Sequence, residues 1–274
     1  MSIKFCSFGS GSSGNCYYLG NESKGILIDA GVGVRQIISH LKASGILVQS
    51  IMGILITHNH FDHIKSLKVF TNKYKIPVFT TTGVWKNILE GSLTKDISSD
   101  CIRKISSHKI FNIGRFSIEA FPVSHDAPET LGFHICYKNR KITIATDLGY
   151  ICENASKFIK AADFLVIESN YDDQMLQNGS YPHYLKERIR SNKGHLDNQH
   201  ISTFLAENIH KDLTHICLAH LSNNNNTPQI VRETIFNSFK EKGNEINGKP
   251  KIIVLERYTP SEFIILHNAD ELPF

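Results

Sequence analysis

Apolar residues along this chain fall into many short runs separated by Gly, Ser and Asn. Segments 2–8, 15–19 and 25–29 read as strands joined by Gly/Ser turns. The third closes on Ile28-Asp29-Ala30-Gly31, ahead of a helical period over 34–43. Gly53-Ile-Leu-Ile-Thr57 is continuously apolar, as a strand buried on both faces should be. His58-Asn-His-Phe-Asp-His63 follows as a loop and leads into a helix carrying Ile64 and Leu67. Further strands are expected at 76–80, 110–113, 115–123, 132–137 and 141–146, with Gly114 at the turn of a hairpin. Beyond Asp147, a helix near 154–162 precedes a strand over 163–168. Helices near 183–191, 198–209 and 228–242 then alternate with strands at 214–219 and 251–256. Hairpins mixed with strand–helix units predict an α/β fold in which two sheets pack face to face with helices outside, an αβ/βα sandwich. No linker divides it, so a single domain over 1–274 is expected. The polar tract Asn223 to Asn226 reads as a loop between strand and helix.

Composition adds little to this picture. The chain has 274 residues, 41% hydrophobic and 20% charged, enough for a sizeable core. Its formal net charge of +4 permits a polyanionic substrate without requiring one. The six cysteines (Cys6, Cys16, Cys101, Cys136, Cys152 and Cys217) form no CxxC pair, and most sit in apolar runs, as small core residues in a reducing compartment do. The N-terminal segment has no secretory pattern and no stretch has the length of a membrane span, so a cytoplasmic location is expected.

The chemistry gathers after the strand at 53–57. With 14 histidines in the chain, the pattern H-x-H-x-D-H at His58, His60, Asp62 and His63 arises by chance with probability on the order of 10⁻³. Three imidazoles and a carboxylate in one short loop can converge on borderline divalent cations such as zinc. One loop cannot complete two metal sites, so further ligands are expected at the ends of other strands. His125 follows Phe121-Pro-Val-Ser, Asp147 follows Ile142-Thr-Ile-Ala-Thr, and His220 follows Ile216-Cys-Leu-Ala. Each is a ligand type at the end of an apolar run.

In order and type these residues closely resemble the metallo-β-lactamase superfamily. The resemblance implies that His58, His60 and His125 hold one metal, that Asp62, His63 and His220 hold another, and that Asp147 bridges them. Asp29 would support the metal loop without ligating. Phe8-Gly-Ser-Gly-Ser-Ser-Gly-Asn15, Ser124-His-Asp-Ala127, Thr146-Asp-Leu-Gly149, Glu168-Ser-Asn-Tyr-Asp172, Gly194-His195-Leu and Leu218-Ala-His-Leu-Ser-Asn223 further resemble the YycJ/WalJ-like subfamily, which is regarded as exonuclease-like. Where that pattern reads Gly-His-Leu-Ser-Asn, this chain has Asp197 in place of the Ser. The expected activity is hydrolysis of a phosphodiester in nucleic acid. Two metals about 3.5–4 Å apart can share a hydroxide and clamp the attacking and leaving oxygens of an in-line displacement. The cofactors would be two divalent ions, zinc or manganese, with iron also compatible. Asp62 and His195 are the expected catalytic residues, His195 giving a proton to the leaving oxygen or stabilising its charge.

Other features stay open to two readings. The turn Gly9 to Gly14, with Ser10, Ser12 and Ser13, is either a hairpin connection or a set of amides facing a phosphate. Lys65, Lys68, Lys73 and Lys75 form one basic run, and Lys186, Arg188, Arg190 and Lys193 another, each either a solvated face or a phosphate contact. Glu168 is either a partner orienting a ligand histidine or a surface acid. His134, His183, His200, His210 and His215 fit no convergent pattern and read as structural. The competing functions are ester, lactone or thioester hydrolysis on the same metals and a non-catalytic regulatory module. Seven intact candidate ligands argue against the module.

Overall fold

The first sheet begins with β1 (Ile3–Gly9), β2 (Cys16–Gly20), β3 (Gly25–Ile28), β4 (Ile51–Leu55), β5 (Val78–Thr81) and β6 (Ile102–Ile105). The second contains β7 (Ile110–Ile113), β8 (Phe116–Val123), β9 (Thr130–Tyr137), β10 (Arg140–Ala145), β11 (Phe164–Glu168), β12 (His215–Ala219) and β13 (Lys251–Val254). The last strand, β14 (Ile264–Leu266), returns to the first sheet beside β1. The structure, a computed structural model, describes residues 2–21, 23–92, 94, 96–244, 246 and 248–267.

The two sheets share one plan. In the first, β14, β1, β2 and β3 pair antiparallel, while β3 to β6 pair parallel. In the second, β7 to β10 pair antiparallel and β10 to β13 parallel. Strand alternation distributes the core to two sides. In β11, Phe164 and Val166 face the space between the sheets, where Phe164 meets Phe5 of β1 at 5.0 Å between ring centroids. Leu165 and Ile167 face the other way, onto Phe158 and Ile159 of the helix Glu153–Ala161 and onto Ile201, Leu205, Val231 and Ile235 of the helices Asn198–Glu207 and Pro228–Glu241. The expected αβ/βα sandwich is the observed architecture.

The differences from expectation are local. The strand anticipated at 53–57 pairs over 51–55, because the Thr57 amide leaves the ladder to donate to Asp29 Oδ1 (2.9 Å). The helix after the metal loop is broken into Phe61–Ile64 and Leu67–Tyr74, with Ser66 turned inward to donate to Val32 O (2.6 Å). The helices Thr82–Glu90 and Asp173–Asn178 and the strands β6 and β14 were not anticipated. Both strands are three or four residues long, and their pairing is set by distant partners, Phe5 with Ile264 in one case. The six cysteines are unpaired, and among the described residues no helix is long and apolar enough to cross a membrane.

Candidate metal centre

Every expected ligand emerges at the C-terminal end of a strand, on one edge of the sandwich. Asp29 follows β3, the loop His58 to His63 follows β4, and His125 follows β8. Asp147 follows β10, Glu168 ends β11, and His220 follows β12. Three of these sharp exits require left-handed backbone: φ is 60° at Asp29, 60° at Asp147 and 57° at His220. Such a conformation is uncommon for a residue with a Cβ, and Asp tolerates it better than most. The surrounding hydrogen bonds hold it. His220 N donates to Ser10 Oγ (2.8 Å), and Asn170 Nδ2 donates to His220 O (2.7 Å).

The metal loop is pinned from below by the Gly-rich turn and by the end of β3. Asn15 N donates to Asp62 O, Ala30 N to His63 O and Gly31 N to Asn15 O, each at 2.8 Å. A Cβ on Gly31 would stand 1.5 Å from the Asp62 carbonyl oxygen, so no side chain fits there.

The ligand atoms converge in groups. His58, His60 and His125 form one group; Asp62, His63 and His220 form another. Asp147 belongs to a third with His58 and His63, and to a fourth with Glu168, His195 and His220, so it lies between the first two. Four of the imidazoles have one nitrogen occupied by an outer partner. Nδ1 of His58 contacts Thr57 Oγ1 (3.0 Å) and Nδ1 of His63 contacts Asp29 Oδ2 (2.7 Å). Nδ1 of His125 donates to Gly194 O (2.9 Å), and Nδ1 of His220 meets Glu168 Oε1 (2.8 Å). In each case Nε2 is left as the inward atom, the arrangement that outer partners impose on metal-ligating histidines. His60 differs, with Nε2 3.6 Å from Asp126 Oδ1.

This donor set fits divalent cations. Nε2 of His58, Nε2 of His220 and Oδ2 of Asp147 are buried with no hydrogen-bond partner, a cost that a cation between them removes. The charges agree. Burial, reinforced by neighbouring histidines, pushes the His58 pKa well below its usual value, leaving its lone pair free. Burial also opposes charge on His63 and His220, but Asp29, Asp147 and Asp62 prevail at His63, and Asp147, Asp62 and Glu168 prevail at His220, whose pKa is pushed up to about 10. Burial likewise works against the charged carboxylates of Asp62, Asp147 and Glu168, yet adjacent imidazoles hold all three below the usual range. The pocket thus carries excess negative charge that bound cations satisfy in place of ring protons.

Several residues prove more closely involved than sequence reasoning indicated. Glu168 is fully buried; Oε1 accepts from Nδ1 of both His195 (2.7 Å) and His220 (2.8 Å), and Oε2 accepts from the amides of Leu148 (2.7 Å) and Leu196 (3.2 Å). Of its two readings, the histidine-orienting one describes its position. Asp197 caps the helix Asn198–Glu207 by accepting from His200 N (2.8 Å), a task Ser also performs. Ser10 is buried against His220 and Tyr17 rather than at an open edge, whereas Ser12 and Ser13 are exposed. In the Asn tract, Asn226 is buried and donates to Ser169 O (3.0 Å) and Asn170 O (2.8 Å), so it braces the segment that holds His220. Asn15 was missed as a side chain: its Nδ2 lies 3.0 Å from His63 Nε2 and 3.3 Å from Asp62 Oδ2. None of His134, His183, His200, His210 and His215 joins the groups above.

Asp126 was also missed, although it adjoins His125. Its Oδ1 lies 3.2 Å from His125 Nε2 and 3.6 Å from His60 Nε2, while Oδ2 accepts from Nε and Nη2 of Arg188. Within the second basic run, Arg188 is therefore tied to the metal loop, Arg190 pairs with Asp173 (2.6 Å), and Lys186 donates to Gln177 O (2.6 Å). In the first run, Lys68 pairs with Asp96 (2.8 Å). Removing the Asp126 carboxylate as Asp126→Asn is expected to weaken the first metal position by roughly 10- to 100-fold. Metal titration followed by mass spectrometric metal analysis checks this, and an unchanged affinity would show that His60 needs no such support.

Comparison with known proteins places this geometry in a family. The Beta-lactamase superfamily domain matches residues 24–216. The chain belongs to the metallo-β-lactamase superfamily. Among superfamily relatives, it is 37% identical over 243 residues to Exodeoxyribonuclease YycJ of Bacillus anthracis, covering 89% of this chain and 91% of that protein. It is 30% identical to Exodeoxyribonuclease WalJ of Streptococcus pneumoniae, covering 88% and 90% respectively. The superfamily fold is also that of YhfI from Bacillus subtilis, with a TM-score of 0.69 at 12% identity over 97% of this chain and all of that one. Metallo-β-lactamase folds of this kind are built to hold divalent metal, in keeping with the donor set described above.

Proposed function

We propose that this chain is a metal-dependent exodeoxyribonuclease with a dinuclear centre. The observation that carries the reading is the convergence of two three-residue ligand groups on Asp147, in a chain alike over nine-tenths of its length to two proteins named as exodeoxyribonucleases. His58, His60 and His125 would hold one ion, Asp62, His63 and His220 the other, and Asp147 would contact both. Zinc or manganese suits these nitrogen and oxygen donors. Bound divalent ions supply the Lewis acidity that polarises a phosphodiester and acidifies water at neutral pH.

The protein's own groups orient and move protons. Glu168, kept ionised by its histidine neighbours, holds Nδ1 of His195 and leaves Nε2 to give a proton to the departing oxygen. His195 is 22% exposed where His220 is 2% exposed, so it is the member of the pair that substrate can reach. Asn15 and Asp29 keep the loop bearing Asp62 and His63 in register. A cytoplasmic place of action belongs to the same reading, and the unpaired cysteines support it.

The test is cleavage of end-labelled single- and double-stranded DNA and RNA by metal-loaded protein, beside its Asp62→Ala variant. Stepwise shortening of DNA that is lost in the variant is the expected result. Hydrolysis of an ester or lactone with no cleavage of any nucleic acid would overturn the reading.

A further inference from the structure

β13 and β14 are edge strands of the two sheets, and they share one flank of the sandwich, where a single cavity of about 1380 Å³ is lined by both. Among the described residues each pairs on one side only, β13 with β12 and β14 with β1. Lys251 N and Leu255 N donate toward β12, to Thr214 O (2.9 Å) and Leu218 O (2.8 Å). Successive amides of a strand point to opposite sides, so Ile252 N and Val254 N are directed away from β12, along the open edge. Such an edge is a template for one more strand. Side-chain alternation adds an apolar lining. Ile253 and Leu255 pack toward the space between the sheets, and Phe263, Ile264 and Leu266 line the same groove from the other sheet.

Charge is uneven along this groove. At the end where β10, β11 and β12 begin, Lys141, Lys249 and Lys251 stand against Asp212. Arg140 is engaged there, with Nε donating to His267 O (2.5 Å) and Nη1 3.8 Å from Asp163 Oδ1, and Lys160 Nζ lies over the Phe204 ring (5.6 Å). The local field is positive: burial first, then Lys251 and Arg140, push the His215 pKa down to about 4. Glu256 and Glu262 line the groove as well, away from the lysines along the chain.

This pattern separates three kinds of occupant. A nucleic-acid strand needs cations along its track and rings for its bases, whereas here acids interrupt the track and Phe263 is the only Phe, Tyr or Trp in the lining. A second copy pairing through β13 would gather two sets of Lys249 and Lys251 on one short ladder, which like-charge repulsion opposes. An extended acidic segment meets each feature: main-chain bonds with the open edge, alternate apolar side chains in the groove, and carboxylates at the lysines. We propose that the groove between β13 and β14 docks an acidic, extended segment of a partner protein, which adds as a strand to β13 and sets its carboxylates beside Lys249 and Lys251. The lysine end lies where β12 begins and the metal ligand His220 follows where β12 ends, so partner and substrate are held at different places.

The experiment adds a short fluorescein-labelled peptide, alternating aspartate with valine, to full-length, metal-loaded protein and reads anisotropy together with amide hydrogen exchange. The peptide should bind at least roughly tenfold tighter than its counterpart with lysine in place of aspartate, and exchange should slow at Ile252 and Val254. The double variant Lys249→Glu/Lys251→Glu should weaken binding by roughly tenfold or more, with metal content and thermal transition unchanged. Absence of binding, equal affinity for the two peptides, or unaltered exchange along β13 would overturn the proposal. So would slower exchange at β13 on raising the protein concentration alone, which would make the occupant a second copy, and so would an oligonucleotide that binds more tightly than the peptide and loses its affinity in the double variant.

Discussion

Replacing Asp147 by Asn is expected to remove metal from both positions and to lower DNA cleavage by at least roughly a thousandfold. Asp147 is 2% exposed; Oδ2 lies 3.3 Å from His63 Nε2, and Oδ1 lies 3.3 Å from His220 Nδ1 and 3.7 Å from His125 Nε2. Asn keeps the volume and the left-handed backbone that a β-branched residue could not adopt. It removes the charge that the neighbouring imidazoles require, so the loss should appear first in metal content and only then in turnover. Metal analysis of the purified variant with a thermal melt separates these: a normal melt with both metals lost is the expected pattern. Retention of both metals would show that Asp147 is not shared between the positions.

His195→Ala and Glu168→Gln should differ in kind. His195→Ala is expected to lower kcat by roughly 10²- to 10⁴-fold while leaving metal content and DNA affinity intact, the scale of a lost proton donor. Glu168→Gln withdraws a carboxylate from two histidines at once, because Oε1 accepts from both His195 and His220. It should therefore reduce kcat and also release the second metal. The double variant should cost less than the product of the two single effects, because both act through His195. Metal loss in His195→Ala equal to that in Glu168→Gln would make His195 a ligand rather than a proton donor.

How far the sequence could be read depended on how local each signal is. The H-x-H-x-D-H loop declares itself because its four side chains lie within six residues, directly after an apolar strand. His125, Asp147 and His220 could be picked out because each closely follows an apolar strand run, the place where an α/β sheet gathers its ligands. The short strands β6 and β14 carried too little pattern to be read, since their pairing depends on residues far away in the chain. Likewise, nothing in Ser124-His-Asp-Ala127 distinguishes Asp126 from a surface acid until the helix His183–Arg190 brings Arg188 to it. Glu168 had two readings in the sequence, and only the meeting of β11 with β12 and with the segment before Leu196 sets it beneath two imidazoles.

From its sequence alone, then, the chain is legible as an α/β metal-binding protein, because metal ligation demands particular side chains and strands demand a period, and both are written locally, while its reading as a hydrolase came from the resemblance of those motifs to a family. The tertiary structure alone decided which nitrogen of each histidine an outer partner holds, and that Glu168 and Asp126 are the acids that meet those rings. Those properties follow from burial and from contacts between residues distant in the chain, which no local pattern encodes.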